Sequence, residues 1–142
     1  SVPETALSFE FQGMTTATPD QLDGRNTLGF LDRPDLDRVL GATSLLLDAT
    51  TGEIVEADIF LNTRFPWSVS ASGDAGRVDV ESVALHELGH LVGLGHSAIG
   101  ETERLATGGR RVLGSGAVMF PIALTPGGTT APLSSGVTVL RP

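Results

Sequence analysis

The three histidines of this chain all fall in one short stretch, His86-Glu87-Leu88-Gly89-His90-Leu91-Val92-Gly93-Leu94-Gly95-His96, which reads H-E-x-x-H-x-x-G-x-x-H. This pattern constrains the fold more than any other feature. A helix over residues 80–92 puts His86 and His90 on one face, one turn apart, with Glu87 close beside them. Val80, Ala84, Leu88 and Leu91 fall on another face and suit a core. Gly93 is placed to end the helix, because a sharp turn needs the left-handed conformation that glycine adopts freely. The chain then turns back, and His96 can supply a third nitrogen. Two imidazoles one turn apart can share a zinc ion with nitrogens at about 2.0–2.1 Å, and a third leaves the fourth position for water. That is the catalytic rather than the structural pattern of zinc binding. H-E-x-x-H alone arises by chance on ordinary amphipathic helices, and a lone histidine is usually a satisfied core or surface residue. The extended spacing, which takes up every histidine in the chain, points to zinc bound by His86, His90 and His96.

Composition narrows the rest. At 142 residues with 40% hydrophobic and 18% charged side chains, the chain fits a single globular domain over residues 1–142 with its own core. A formal net charge of −8 argues against nucleic acid as a partner. The absence of cysteine excludes disulfides, thiolate zinc ligands and a cysteine nucleophile. No apolar run reaches the roughly 18 residues of a membrane helix, and Ser1-Val2-Pro3-Glu4 has neither the basic end nor the apolar stretch of a signal peptide.

Taken in order, residues 5–11 alternate as a strand with Leu7, Phe9 and Phe11 on one face, and residues 12–26 read as loop. Residues 27–31 suggest a short strand, and residues 32–40, with Pro34, a single helical turn. Residues 43–48 read as a buried strand, 49–52 as a turn and 53–62 as a longer strand, together a hairpin. Residues 64–76 form a loop toward the histidine helix, which Asp79 is placed to cap, with Glu81 in its first turn. Residues 98–116, rich in glycine and arginine, read as a solvated surface loop, with a substrate-binding role as the alternative. Residues 125–135 are again rich in Gly, Thr and Pro.

The extended motif resembles that of the metzincin metalloproteases, and Ser97 directly after the third histidine resembles their matrixin branch. Ala117-Val118-Met119-Phe120-Pro121 looks like the methionine-containing turn of that group; core filler is the alternative role for Met119. The astacin and serralysin branches carry a Tyr where Pro121 stands. Residues 52–59 and 79–85 are similar to stretches of bacterial matrixins, so the likeness runs from about Thr5 to Pro121. The resemblance implies an α+β fold: a twisted mixed sheet, mostly parallel, with the zinc helix packed behind it and the Met-turn after the third histidine. Matrixin domains also carry a long helix early in the domain and another at its end. Neither is visible in this sequence, so the chain is expected to be part of a longer polypeptide or a reduced member, with one sheet face and the back of the zinc helix exposed.

The same resemblance implies a secreted, extracellular zinc endopeptidase acting on protein or peptide substrates, and the composition adds the expectation of no membrane and no nucleic-acid partner. Glu87 is the expected general base for a water at the zinc. Substrate would pair with an edge strand, placed at residues 53–62. The family's specificity-pocket wall is Pro-x-Tyr; here Pro121-Ile122-Ala123 has Ala in place of Tyr, which departs from family-like side-chain preference. Asp58 matches a family calcium ligand, with Asp74 as a candidate partner; the alternative is that these loop carboxylates are merely solvated. Many matrixins hold themselves latent through a pro-segment cysteine; without one, this is mature enzyme or a member silenced differently. Two other functions compete: a zinc-containing binding or adhesion module without turnover, and a peptidase restricted to itself or to one partner. The retained Glu87 favours catalysis. The sequence leaves the substrate and the oligomeric state open.

Overall fold

The computed structural model describes residues 7–97, 102–112, 117–119, 122–124, 130–132 and 139–140. Its centre is a β-hairpin, β2 (Gly41–Leu47) and β3 (Ile54–Asn62), after β1 (Leu28–Leu31) and a 3-10 turn at Pro34–Leu36. β4 (Trp67–Ser68) and β5 (Val78–Asp79) make a two-stranded parallel pair that leads into α1 (Val80–Leu91). Beyond the helix come β6 (Thr102–Arg104), β7 (Arg110–Val112), β8 (Ile122–Leu124), β9 (Thr130–Pro132) and β10 (Val139–Leu140). The main sheet has the order β1-β3-β2-β10, with β2 antiparallel to β3 and the two outer strands parallel to their neighbours. The sheet is mixed, and α1 packs on it, which gives the expected α+β arrangement.

Strand β3 is buried from Glu56 to Asn62 because it is covered on both sides. Side chains alternate along a strand. Ala57, Ile59 and Leu61 share the face that carries the helix. Leu61 joins Leu40, Val78 and Val83 in the core, with Phe65, Trp67 and Val80 packed around them. The opposite face carries Glu56, Asp58 and Phe60, all buried beneath the loop that precedes β1 and the Arg33 guanidinium, which lies 5.2 Å from the Phe60 ring centre. Asn62, fully buried, ends the strand. Its side-chain amide donates to the carbonyls of Arg33, Leu36 and Val39 at 2.9–3.1 Å, which fixes the 3-10 turn against the sheet.

Three expectations need correction. Residues 5–11 were expected as a strand. Their described part, residues 7–11, forms no strand, and Phe9 and Phe11 are exposed. Residues 53–62 were expected at the sheet edge. Strand β3 is interior, flanked by β1 and β2, and the outer strands are β1 and β10; among the described residues β10 pairs with β2 only at Leu45 and Leu46, so the Gly41–Ser44 end of β2 has β3 as its one strand neighbour there. Residues 98–116 were expected as an open loop. They contain an antiparallel hairpin, β6–β7, closed around Gly108 at positive φ.

The helix also buries a different face from the expected one. Val83, His86, Glu87 and His90 are buried, whereas Val80, Ala84, Leu88 and Leu91 are only half-buried. Leu28, Phe30 and Leu85 are each about half exposed, so apolar surface remains on β1 and on the outer side of α1. No described helix is long and apolar enough to cross a membrane.

Candidate metal centre

Helix α1 begins where the Asp79 carboxylate accepts a hydrogen bond from the Ser82 backbone N–H at 2.8 Å, satisfying a donor that has no partner within the helix. It ends at Gly93, whose φ of 85° lets the chain reverse. The Gly93 N–H donates to the His90 carbonyl and the Leu94 N–H to the Gly89 carbonyl, both at 2.9 Å, the paired bonds of a glycine-terminated helix. The reversal brings His96 back to the helix, as the spacing required. The ring centres of His86, His90 and His96 lie 4.8–5.2 Å apart. One ligating atom from each falls within 4.8 Å of the others, and among the described residues this is the group of histidines and carboxylates able to hold a metal ion.

The hydrogen bonds fix which nitrogens are available. His86 Nδ1 lies 2.7 Å from the Val118 carbonyl, and His90 Nδ1 lies 2.8 Å from the Leu94 carbonyl. A carbonyl can only accept, so both Nδ1 atoms carry the proton and both Nε2 atoms present lone pairs. Those two Nε2 atoms are 3.1 Å apart. Two lone pairs facing each other at that separation repel, and a cation between them turns the repulsion into binding. The carbonyl partners also orient each ring, as the outer contacts of metal-binding histidines do. Burial pushes His86 and His96 below the usual imidazole range, helped by neighbouring histidines and, for His86, opposed by the bond to the Val118 carbonyl; the net shift favours the neutral form of both rings. A donor set of neutral imidazoles suits zinc.

Glu87 is fully buried beside this cluster. Burial pushes its carboxyl up from 4.5 to about 7, with partial compensation by a hydrogen bond from Thr43. The Thr43 hydroxyl lies 2.8 Å from Glu87 Oε2 and 2.9 Å from the Glu87 carbonyl oxygen. Glu87 Oε1 is buried with no hydrogen-bond partner among the described residues. A buried acceptor of this kind is costly unless something donates to it. Its position next to three convergent imidazoles suits a water held by a metal.

Met119 lies against the helix. A Cβ added at Gly89 would overlap the Met119 sulfur, so only glycine permits this approach, at a cost of about 1 kcal/mol in helix propensity relative to alanine. The Met119 carbonyl accepts from the Ser97 N–H at 2.8 Å, which ties the segment after His96 to the turn whose preceding residue, Val118, holds His86.

The two carboxylates named for calcium bind different partners. Asp58 does not face Asp74: its Oδ2 accepts the N–H groups of Asp20 and Gln21, and its Oδ1 that of Thr27, at 2.8–3.2 Å. Asp74 instead accepts from the Ser68 hydroxyl at 2.5 Å. Glu56 acts like Asp58, accepting from Asp23 and Gly24. Backbone donors thus engage Asp58 and Glu56, and the two carboxylates pin the loop before β1 to β3. Burial pushes the Asp58 carboxyl up, and nearby Glu56 adds to this, while its N–H donors oppose the shift. Asp58→Ala should strand three N–H groups and lower stability by about 2–4 kcal/mol. Urea denaturation would measure this, and added calcium should not raise the melting temperature of the parent protein.

Of the pocket residues, Pro121 lies outside the described residues, and the backbones of Ile122 and Ala123 belong to β8, paired with β9. Sequence reasoning missed Thr43 and the carbonyls of Leu94 and Val118. The carbonyls carry no sequence signal. Thr43 left a faint one, a hydroxyl in a strand otherwise read as buried and apolar.

Residues 6–102 match a family model described as Matrixin. The chain is also 34% identical over 116 residues to Metalloendoproteinase 2-MMP of Arabidopsis thaliana, an alignment covering 76% of this chain and 29% of that protein. It therefore spans less than a third of the relative's length. No solved structure matches the chain.

Proposed function

The chain belongs to the matrixin family, and from that we propose that it is a zinc-dependent endopeptidase in which His86, His90 and His96 hold the metal and Glu87 moves the proton. The observation that carries this reading is the convergence of two proton-free Nε2 atoms, 3.1 Å apart, beside a buried carboxylate oxygen with no hydrogen-bond partner among the described residues. When bound, zinc would polarise a substrate carbonyl and make a water acidic enough to attack near neutral pH.

The chain's own residues do the rest. Glu87 Oε1 receives the proton of the attacking water, and the same carboxyl then gives a proton to the leaving amine. In the metal-free chain burial pushes this carboxyl up to about 7, and a bound cation would lower it again by favouring the charged form. The Val118 and Leu94 carbonyls keep His86 and His90 in the tautomer that presents Nε2. Met119, as the methionine of the family's turn, forms an apolar floor beneath them. An extended peptide would pair with the stretch of β2 from Gly41 to Ser44. That stretch lies next to Glu87 through Thr43, and among the described residues β10 pairs only with Leu45 and Leu46. Secretion and a protein substrate follow from the family alone.

A quenched-fluorescent peptide library tests the reading. Cleavage is expected, its loss on treatment with 1,10-phenanthroline, and its recovery on adding zinc. Activity should also fall with acid as the histidines take protons and release the metal. Because His86 and His96 are held below the ordinary value near 6.5, metal loss should centre below that pH. Library cleavage that persists after complete metal removal would refute the proposal. A zinc-loaded protein that cleaves no member of the library would favour the binding-module alternative.

A further inference from the structure

Thr43 belongs to a strand and Glu87 to a helix, and their side chains meet where both are buried, at 1% and 0% exposure. The strand approaches the helix closely because Gly41, two residues earlier on the same face, has no side chain. A Cβ there would lie 2.9 Å from the Phe60 carbonyl oxygen and 3.3 Å from a Val83 methyl. Thr43 itself is set opposite Ile59 by the β2–β3 register. Its hydroxyl has one proton and two acceptors on the same residue, Glu87 Oε2 at 2.8 Å and the Glu87 carbonyl at 2.9 Å. The carboxylate is therefore held on one oxygen, by a group anchored in the sheet, and left open on the other.

We propose that Thr43 is a positioning residue for proton transfer: its hydroxyl fixes Glu87 Oε2 so that Oε1 alone faces the water. The inference rests on the peptidase reading above. In this arrangement the sheet sets the angle of the general base directly. The strand that carries Thr43 is also the one proposed to pair with substrate, so a peptide docked on β2 and the base that acts on it share one rigid support. A carboxylate free to rotate would spend part of its time with neither oxygen aimed at the water. The loss would therefore fall on the chemical step and not on substrate binding.

The test compares Thr43→Val, which keeps the shape and removes the hydroxyl, with Thr43→Ser, which keeps the hydroxyl. Each is assayed with the library peptide that the parent protein cleaves best, alongside zinc content and melting temperature. Thr43→Val should lower kcat about tenfold to a hundredfold, the scale of one hydrogen bond to a charged group. KM and zinc per chain should stay close to the parent values. Thr43→Ser should recover most of kcat. An active parent protein whose Thr43→Val variant keeps full kcat overturns the inference alone. So does a Val variant that loses zinc or raises KM with kcat intact, or a Ser variant no better than Val, since each assigns Thr43 a merely structural part. A zinc-loaded parent protein that cleaves nothing overturns the peptidase reading and the inference with it.

Discussion

Glu87→Gln should abolish most peptidase activity while leaving zinc bound. Glutamine keeps the size of the side chain, and its amide oxygen can still accept from the Thr43 hydroxyl, which lies 2.8 Å from Oε2 in the parent protein. It cannot take a proton from water or return one to an amine. Loss of a general base commonly costs about 10²–10⁴-fold, and here the same group acts twice, so the loss should reach or exceed the top of that range. The substitution should also reveal the environment of the buried carboxyl. In the metal-free protein the folded-state value of about 7 lies above the ordinary 4.5, so protonation favours the fold. That contribution is complete below 4.5 and is lost as pH rises through 7. Gln carries no such charge. Metal-free Glu87→Gln should therefore gain stability relative to the metal-free parent as pH rises from 5 to 8, by about 1–3 kcal/mol. A constant difference across that range would show that Glu87 is not desolvated as described.

His90→Ala should have an equally large effect on activity for a different reason. His90 is buried, its Nδ1 paired with the Leu94 carbonyl and its Nε2 facing that of His86. Alanine removes one of three nitrogens and leaves the Leu94 carbonyl without its imidazole donor. Two protein ligands hold zinc poorly, so the metal should be lost along with activity. Stability should fall by the imidazole's own packing and by the metal's linkage contribution, which is about 4 kcal/mol when free zinc stands a thousandfold above its dissociation constant. Glu87→Gln and His90→Ala should look alike in a peptidase assay and differ sharply in zinc content and melting temperature. A His90→Ala protein that retained a full equivalent of zinc would remove His90 from the ligand set.

The parts of this molecule that follow from local spacing were legible in the sequence. The histidines at i and i+4, the reversal at Gly93 and the cap at Asp79 depend on helix geometry within a few residues, and all three appear as expected. The β2–β3 hairpin was equally local, closed by a short turn with Gly52 at positive φ. What failed was non-local. The parallel pairing of β1 with the far end of β3 puts β3 inside the sheet, and no periodicity in residues 53–62 could announce it. The alternation in residues 5–11 promised a strand, but alternation supplies no partner. Asp58 was read through family likeness as a cation ligand; its oxygens accept N–H groups more than thirty residues earlier in the chain. The helix face was misjudged because buried positions were assumed to be the apolar ones. Here Glu87, His86 and His90 are inside and Leu88 is half outside, an arrangement a purely structural helix has no reason to adopt. Thr43 shows the same limit: its hydroxyl acts on a residue 44 positions away.

The central claim, that the three histidines and Glu87 form a working zinc site, is tested most directly by diffraction from zinc-loaded crystals at the zinc absorption edge. The account predicts one anomalous peak per chain, bounded by the imidazoles of His86, His90 and His96, with Glu87 outside the coordination sphere and its Oε1 within hydrogen-bond reach of a water on the metal. A peak elsewhere, a site that excludes His96, or Glu87 bound directly to zinc would contradict it.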